Sequence, residues 1–295
     1  MTTELRVGRR RVEVTHPDKV LFPAAGLTKL DLARHYERVA PAMLPHVRDR
    51  PLAMRSYPGG IDRPGFFIKA TPRHFPDWID RVEVPKKGGT VTQVVVREAA
   101  TLVYLAAQNV VEPHVFPSRA DMPDRPDRLI VDLDPSHERF AEVRAAARAV
   151  GDRLRGVGLC PYAMTSGSRG IHVVAPLRRG PSFPEVHRLA RALAEEMVAE
   201  NPDELTLEWH TAERGERIYL DVNRNAYAQH AIAAYGVRAR PNAPVATPLH
   251  WEELSDPGLR PDGWTITTIG ARLDEADPWL GMYRHARRLP DASRR

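Results

Sequence analysis

A chain of 295 residues with 42% apolar and 27% charged side chains has the balance of a folded globular protein, one large domain or two modules, and bulk disorder is excluded. No run approaches the roughly 18 to 20 consecutive apolar residues of a membrane span, and the opening Met1-Thr2-Thr3-Glu4-Leu5-Arg6 has no apolar signal core. Cys160 is the single cysteine, which excludes an intrachain disulfide and any multi-cysteine zinc site, so the expectation is a cytoplasmic protein with no membrane partner.

The net charge of +5 rests on thirty-eight arginines and only five lysines. Arginine forks suit phosphate, but an arginine-rich codon usage accounts for the same count. Charge permits a nucleic-acid partner without requiring one.

Along the chain, residues 11–15 alternate like a strand and run into a turn at His16-Pro17-Asp18-Lys19. Thr28 is placed to cap a helix from Lys29 to about Val47, with Leu32, Tyr36, Val39 and Met43 on one face. Strands are expected near Leu52–Tyr57, Phe66–Ile68, Val82–Val84 and Val91–Val96, then a helix at Glu98–Gln108 and an apolar run at Val110–Phe116. Residues 117–128, rich in proline and charge, read as a connector and as the best internal boundary. Leu129–Val131 then opens a buried strand. A helix follows at Phe140–Leu154, with Phe140, Val143, Ala147, Val150 and Leu154 as its buried stripe. Tyr162–Ala175 reads as strand-turn-strand, Pro184–Ala199 as a helix and Arg217–Val222 as a strand. The fold class is mixed α/β, with helices packed on sheets.

The sharpest local signal is Asp132-Leu133-Asp134 at the end of an apolar strand. Positions i and i+2 of a strand share a face, so both carboxylates aim one way and favour a divalent cation between them. Asp at a strand end also serves ordinary turn bonding, and the motif alone reads either way. A second apolar strand, Ile218-Tyr219-Leu220, ends in Asp221. Three carboxylates from two strand ends would build a two-metal site for phosphoryl chemistry, although a surface Asp is the plain alternative.

Between these strands lies Thr165-Ser166-Gly167-Ser168-Arg169-Gly170-Ile171-His172. Glycines let the backbone approach an anion, and the hydroxyls, Arg169 and His172 add donors. A strand follows instead of a helix, so this is no Walker A loop; it reads as a hairpin turn or as a triphosphate cradle. Arg238-Ala239-Arg240, if extended, presents two guanidinium groups to one side, suited to polyphosphate or to solvent. His114 lies in an apolar run and reads as a hydrogen-bonded core histidine. Lys19, Lys29, Arg55 and Lys69 accompany Phe66-Phe67, a cation-and-aromatic set of the kind that stacks unpaired bases. Adjacent strand residues face opposite ways, so one of the two phenylalanines is expected in the core. Lys86-Lys87-Gly88-Gly89 reads as a solvated hairpin tip.

Taken in order, these elements resemble the polymerase domain of the bacterial ligase D family, within the archaeo-eukaryotic primase superfamily. The likeness runs through His16-Pro17-Asp18-Lys19, Thr28-Lys29, Arg50-Pro51, Phe66-Phe67-Ile68-Lys69 and His114, then Asp132-Leu133-Asp134 and Ser166–His172. It continues through Asp221, Arg238-Ala239-Arg240 and Pro248-Leu249-His250-Trp251-Glu252-Glu253-Leu254. The resemblance implies a primase-like catalytic core, central β-sheets flanked by helices. It further implies a single polymerase domain over 1–295, with DNA contacts in about 1–125 and metal and nucleotide binding in about 126–295.

The activity implied is template-dependent addition of (ribo)nucleotides to a primer 3′-hydroxyl during bacterial non-homologous end joining. By position, Asp132, Asp134 and Asp221 would hold two ions, Mn²⁺ or Mg²⁺. Ser166, Arg169, His172, Arg238 and Arg240 would bind the triphosphate, and His114 the incoming nucleotide. Lys19 and Lys29, with His16 in the same pocket, would hold the DNA 5′-phosphate; one of Phe66 and Phe67 would stack on the template, Arg55 and Lys69 would support the DNA, and the Lys86–Gly89 loop would help align two ends. The implied partners are DNA with gaps or double-strand-break ends and nucleoside triphosphates, with Ku and a separate DNA ligase as further candidates. The implied state is a nucleoid-associated cytoplasmic monomer. The family often carries Asn where His16 stands and another polar residue where Arg224 follows Asp221. A metal-dependent nuclease or phosphoesterase, or a non-catalytic DNA-end bridging protein, is the alternative function.

Overall fold

The alternation near the start of the chain folds as a hairpin of β1 (Thr2–Val7) and β2 (Arg10–Thr15), with Val12 and Val14 turned inward. The structure, a computed structural model, describes residues 1–290. A short pair, β3 (Val20–Phe22) and β4 (Leu27–Thr28), leads into α1 (Lys29–Val47). Thr28 and Asp31 form a reciprocal capping box, which satisfies two of the backbone donors a helix start leaves open. Leu32, Tyr36, Val39 and Met43 are buried as their spacing predicts.

Next come β5 (Leu52–Ser56), the short β6 (Phe66–Ile68), the hairpin β7 (Arg81–Lys86) with β8 (Gly89–Val94), α2 (Ala99–Ala107) and β9 (Val110–Val115). The Lys86–Gly89 tip is exposed, and Gly88 takes the left-handed conformation that glycine adopts without strain.

Residues 117–128, expected as a connector, instead carry a two-stranded hairpin of β10 (Ser118–Arg119) and β11 (Met122–Pro126). β11 has a partner strand on one side only, an edge position where proline is tolerated.

β12 (Arg128–Pro135) follows, then α3 (Phe140–Gly156), β13 (Tyr162–Thr165), β14 (Ile171–Pro176) and α4 (Phe183–Glu200). The chain continues through β15 (Leu205–Thr206), α5 (Thr211–Arg214) and β16 (Ile218–Asp221). Short pieces close it: β17 (Ala231–Ile232), β18 (Pro248–Leu249) and α6 (Gly270–Leu273). No described helix is long and apolar enough to cross a membrane.

The chain forms two units. The first holds 1–116, 230–247 and 264–277; the second holds 117–229, 248–263 and the described residues from Pro278 on. The segment bearing Arg238 and Arg240 therefore belongs to the first unit, where β17 pairs with β9 and the Val237 N–H donates to the Tyr36 hydroxyl. That unit's main sheet runs β17-β9-β5-β6.

The second unit is built on a six-stranded sheet, β15-β16-β12-β14-β13-β18, antiparallel except for β15 with β16. Val131 of β12 and Leu220 of β16 share one apolar pocket with Val150 and Leu154 of α3 and with Leu193 and Met197 of α4. The helices thus cover one face of the sheet. Alternation sends Asp132, Asp134 and Asp221 out of the other. Gly151 lets α3 pass beneath Trp251, whose ring would lie 2.1 Å from a Cβ at that position.

Candidate active site

Strand register assembles the centre of the second unit. Asp132 of β12 pairs with His172 of β14 on one side and with Asp221 of β16 on the other. Cross-strand partners share a face, so His172, Asp132 and Asp221 form a row. His172 Nε2 stands 3.2 Å from Asp132 Oδ1. Asp221 is buried, and burial together with the Asp132 charge holds its carboxyl above the usual range against the pull of Arg224. Tyr219, on the same face, is pushed up to about 12 by burial and by Asp221. It therefore keeps its proton and donates to Asp221 Oδ1 at 3.4 Å.

Asp134 lies two residues along β12 and is held by arginines. Arg214 Nη1 reaches its Oδ2 at 3.0 Å, and Arg169 Nη2 its Oδ1 at 3.5 Å. Arg214, which the sequence reading passed over, is buried and also donates to the Glu208 and Trp209 carbonyls. Its guanidinium lies 4.1 Å from the centroid of the Tyr219 ring, a stacked cation on an aromatic face. Its only sequence signal was an arginine in a polar loop just before β16.

The turn from Ser166 to Gly170 is a hairpin between β13 and β14. The Ser166 hydroxyl accepts from the backbone N–H of Ser168 and Gly170 at 3.3 and 3.1 Å, so it shapes the turn. A Cβ on Gly170 would meet the Leu133 carbonyl oxygen at 1.9 Å. Glycine there lets the turn close onto β12 beside Asp132 and Asp134.

Arg224 occupies the carboxylate pair. Its Nε lies 3.3 Å from Asp132 Oδ2 and 3.2 Å from Asp221 Oδ2. The turn 223–225 that carries it is anchored at both ends. Asn223 N–H donates to Asp221 Oδ1, and its side chain donates to the Tyr219 hydroxyl. The Asn225 amide exchanges hydrogen bonds with both the N–H and the carbonyl of Ile130.

Of the three acids, Asp132 and Asp221 are thus brought together, while Asp134 is drawn to Arg214 and Arg169. Among the described residues no three His, Cys, Asp or Glu side chains converge as a ready-made metal-holding group. The donor chemistry nonetheless fits a hard divalent cation, since two carboxylates side by side, Asp221 buried and Asp132 half-buried, already accept one cation, the guanidinium of Arg224.

In the first unit a corresponding row forms around Glu112, a residue the sequence reading did not single out. β5 pairs Arg55 with Phe67 of β6 and with Glu112 of β9, and Ala53 with His114. Buried Glu112 binds His114 Nε2 at 3.2 Å, Arg55 Nη1 at 3.4 Å, Arg238 Nε at 3.1 Å and the Ala239 N–H at 2.9 Å. Burial alone would raise its carboxyl. The His114 hydrogen bond and the Arg238 charge outweigh that and hold it well below the usual carboxylate range. The signal was present, as an acid inside the apolar run Val110–Phe116 must find partners.

His114 is therefore tied to an acid and to the edge of Phe67, with ring centroids 5.3 Å apart. Arg238 turns to Glu112, and the chain bends at Ala239–Arg240 instead of running extended. Arg240 is exposed.

Both Phe66 and Phe67 are exposed, at 52% and 56%, which corrects the expectation that one is core. β6 is a three-residue edge strand, and neither of its faces is covered deeply enough to bury a ring. Phe67 has the Arg55 guanidinium 5.4 Å from its centroid, and Lys69 lies exposed just beyond.

His16, Asp18, Lys19, Lys29 and Asn109 line a cavity of about 650 Å³ in the same unit. His16 has φ of +50°, a left-handed conformation that Asn and His tolerate better than most residues; this accounts for either residue at that position. Lys29 is buried and donates to the Thr15 carbonyl at 2.7 Å, and Lys19 bonds the Pro58 carbonyl. Burial, and then the Lys19 charge, lower the Lys29 pKa.

Comparison with known proteins places these two sets of residues in context. The model of the LigD primase-polymerase domain matches residues 28–279. The chain belongs to the LigD primase-polymerase family. That family consists of metal-dependent nucleotidyltransferases.

The multifunctional non-homologous end-joining DNA repair protein LigD of Mycobacterium tuberculosis is 34% identical over 302 residues, covering 97% of this chain and 40% of that protein. LigD of Pseudomonas aeruginosa is 30% identical over 98% of this chain and 35% of that protein. The chain thus spans less than half the length of these relatives. The solved polymerase domain of M. tuberculosis ligase D in complex with DNA superposes with a TM-score of 0.87 at 32% identity, covering 94% of this chain and all of that one. The mixed α/β architecture of this LigD-family domain is therefore the primase-like fold expected from the sequence.

Proposed function

We propose that this LigD-family chain is a template-dependent polymerase of bacterial non-homologous end joining, adding nucleotides to a primer 3′-hydroxyl at DNA gaps or broken ends. The row His172–Asp132–Asp221, set by strand register in a member of this family, carries the reading. Asp132, Asp134 and Asp221 would hold two divalent ions, Mn²⁺ or Mg²⁺. When bound, such ions lower the pKa of the attacking hydroxyl and neutralise phosphate charge.

The protein's own groups do the rest. Arg169, His172 and the Ser166–Gly170 turn would orient the triphosphate, Ser166 acting by holding the turn. In the transfer the 3′-oxygen bonds to the α-phosphorus as the bond to the α,β-bridging oxygen breaks, and pyrophosphate departs. Arginine forks placed on the β- and γ-phosphates stabilise the charge that develops on the leaving group. Arg238 and Arg240 would also bind the triphosphate and His114 the incoming nucleotide, with Glu112 holding His114 and Arg238. His16, Lys19 and Lys29 would bind a 5′-phosphate. Phe66 or Phe67, with Arg55 and Lys69, would stack against and support the template.

The partners on this reading are gapped or broken DNA, nucleoside triphosphates, the Ku end-binding protein and a separate ligase, with the chain acting as a nucleoid-associated monomer. The test is a primer annealed across a one-nucleotide gap with a 5′-phosphate, incubated with ribo- or deoxyribonucleotides and Mn²⁺ or Mg²⁺. Growth by one nucleotide is the expected result. A shortened primer would mark a nuclease instead, and binding without turnover a bridging protein.

A further inference from the structure

The contact between Arg224 and the two carboxylates is built, not incidental. Asn223 ties the start of its turn to Asp221 and Tyr219, and Asn225 ties the end to both backbone groups of Ile130. The Cα of Arg224 is therefore fixed beside β12 and β16, and its side chain bridges one oxygen of each acid. The other oxygen of each acid has a different partner, Asp132 Oδ1 meeting His172 and Asp221 Oδ1 accepting from the Asn223 N–H and the Tyr219 hydroxyl. A dication held by both residues needs the position the guanidinium takes.

We propose that Arg224 is a resident counter-cation of the Asp132–Asp221 pair, which a divalent ion must displace before the pair can bind it. The inference rests on the metal reading of these acids given above. In the metal-free protein Arg224 relieves the repulsion of two like charges held by strand register. Metal binding then consists of two coupled events, entry of the ion and rotation of the arginine side chain on its anchored turn. The apparent affinity is lowered by the fraction of protein in which Arg224 still covers the acids. Arg224 is thus a positioning residue that sets how much metal the enzyme needs, and its displaced guanidinium remains within one side chain's length of the site.

The test uses the whole chain without DNA or nucleotide. Mn²⁺ binding is measured by calorimetry for the wild type, Arg224→Gln and Asp132→Asn, and melting temperatures are taken with and without the ion. Arg224→Gln should bind Mn²⁺ about tenfold more tightly, the effect of removing one charge-assisted competitor. It should melt lower than wild type without metal and gain more on adding it. Equal or weaker Mn²⁺ binding by Arg224→Gln, with Asp132→Asn abolishing binding, overturns this inference and leaves the metal reading intact. No binding by any of the three proteins overturns both.

A second measurement needs no variant. The Nε–H resonance of Arg224, followed by nitrogen-15 NMR, should move away from its carboxylate-bound position as diamagnetic Mg²⁺ is titrated in. A resonance that stays in place at saturating Mg²⁺ also overturns the proposal.

Discussion

Asp132 and Asp221 face each other directly across β12 and β16, and one guanidinium nitrogen, Arg224 Nε, lies 3.2–3.3 Å from an oxygen of each. Neither acid can be replaced without leaving that arginine half-partnered. Asp221→Asn is expected to cut nucleotide addition by about a thousandfold, the loss of several kcal/mol of transition-state charge stabilisation. Binding to gapped DNA should be unchanged, since Lys19 and Lys29, the lysines proposed to bind the 5′-phosphate, lie in the other unit. Burial already holds the Asp221 carboxyl above its usual range, so the amide should melt within a few degrees of wild type. Extension that survives the substitution would remove Asp221 from the chemistry.

Glu112 is the matching centre of the first unit, where it gathers Arg55, His114, Arg238 and the Ala239 N–H. Glu112→Ala leaves these cations without their shared acid and should cost about 3 kcal/mol of stability, with a higher KM for the incoming nucleotide. The pH dependence follows from a folded-state pKa held below the ordinary 4.5. Stability from a depressed carboxyl is fully present above about pH 4.5 and is lost as pH falls below it. Denaturant melts at pH 7 and pH 3.5 should show wild type losing more than Glu112→Gln. Equal acid sensitivity would mean that Glu112 contributes none of it.

Lys29 lines the same cavity as His16 and Lys19. Lys29→Met should lower affinity for gapped DNA bearing a 5′-phosphate by about tenfold, the worth of one charge-assisted hydrogen bond, and leave DNA without the phosphate nearly unaffected. The lowered pKa of Lys29 means that its charge is lost earlier than that of an ordinary lysine as pH rises. The wild-type preference for phosphorylated ends should therefore fade below pH 10.5, the usual lysine value. Equal losses on both DNAs would disprove a phosphate-specific role.

Much of this was legible in the sequence because short-range rules carried it. Thr28 and the stripe Leu32, Tyr36, Val39, Met43 marked α1. The Asp132-x-Asp134 alternation fixed a face before any partner strand was known. What stayed hidden was long-range. Asp221 was expected beside Asp132, but nothing local gives their direct pairing in register, eighty-nine positions apart, or says that Arg214 crosses to Asp134 and Arg224 to both strands. Glu112 was overlooked because its partners come from β5, β9 and the segment after β17, three separate stretches. Phe66 and Phe67 were misjudged because the alternation rule presumes a covered sheet, and β6 is an edge.

Arg214 links Asp134 to the loop through Glu208 and Trp209 while stacking on Tyr219. A lysine cannot span three acceptors and lie flat on a ring at once. Arg214→Lys is therefore expected to cost about 2–4 kcal/mol in stability despite keeping the charge. It should also release the loop carrying the exposed Trp209, read as faster local hydrogen exchange over residues 207–212. Wild-type protection in that segment would show that the loop is held by other contacts.

His35 offers a stability test away from either site. It is buried on α1, edge-on to Tyr36, with Nε2 3.2 Å from the Tyr235 carbonyl, so the neutral ring donates there. Burial pushes its pKa down from 6.5 to about 4, against the partial support of that carbonyl. Between those values the unfolded chain takes up a proton that the folded one refuses, so this group destabilises the fold as pH falls through that window. The loss between pH 7.5 and pH 5 amounts to about 2 kcal/mol by linkage. His35→Gln keeps a donor for the Tyr235 carbonyl and cannot take up the proton. Urea unfolding at the two pH values should therefore show the variant losing about 2 kcal/mol less than wild type, and matching losses would mean that His35 is protonated in the folded protein as readily as in the unfolded chain.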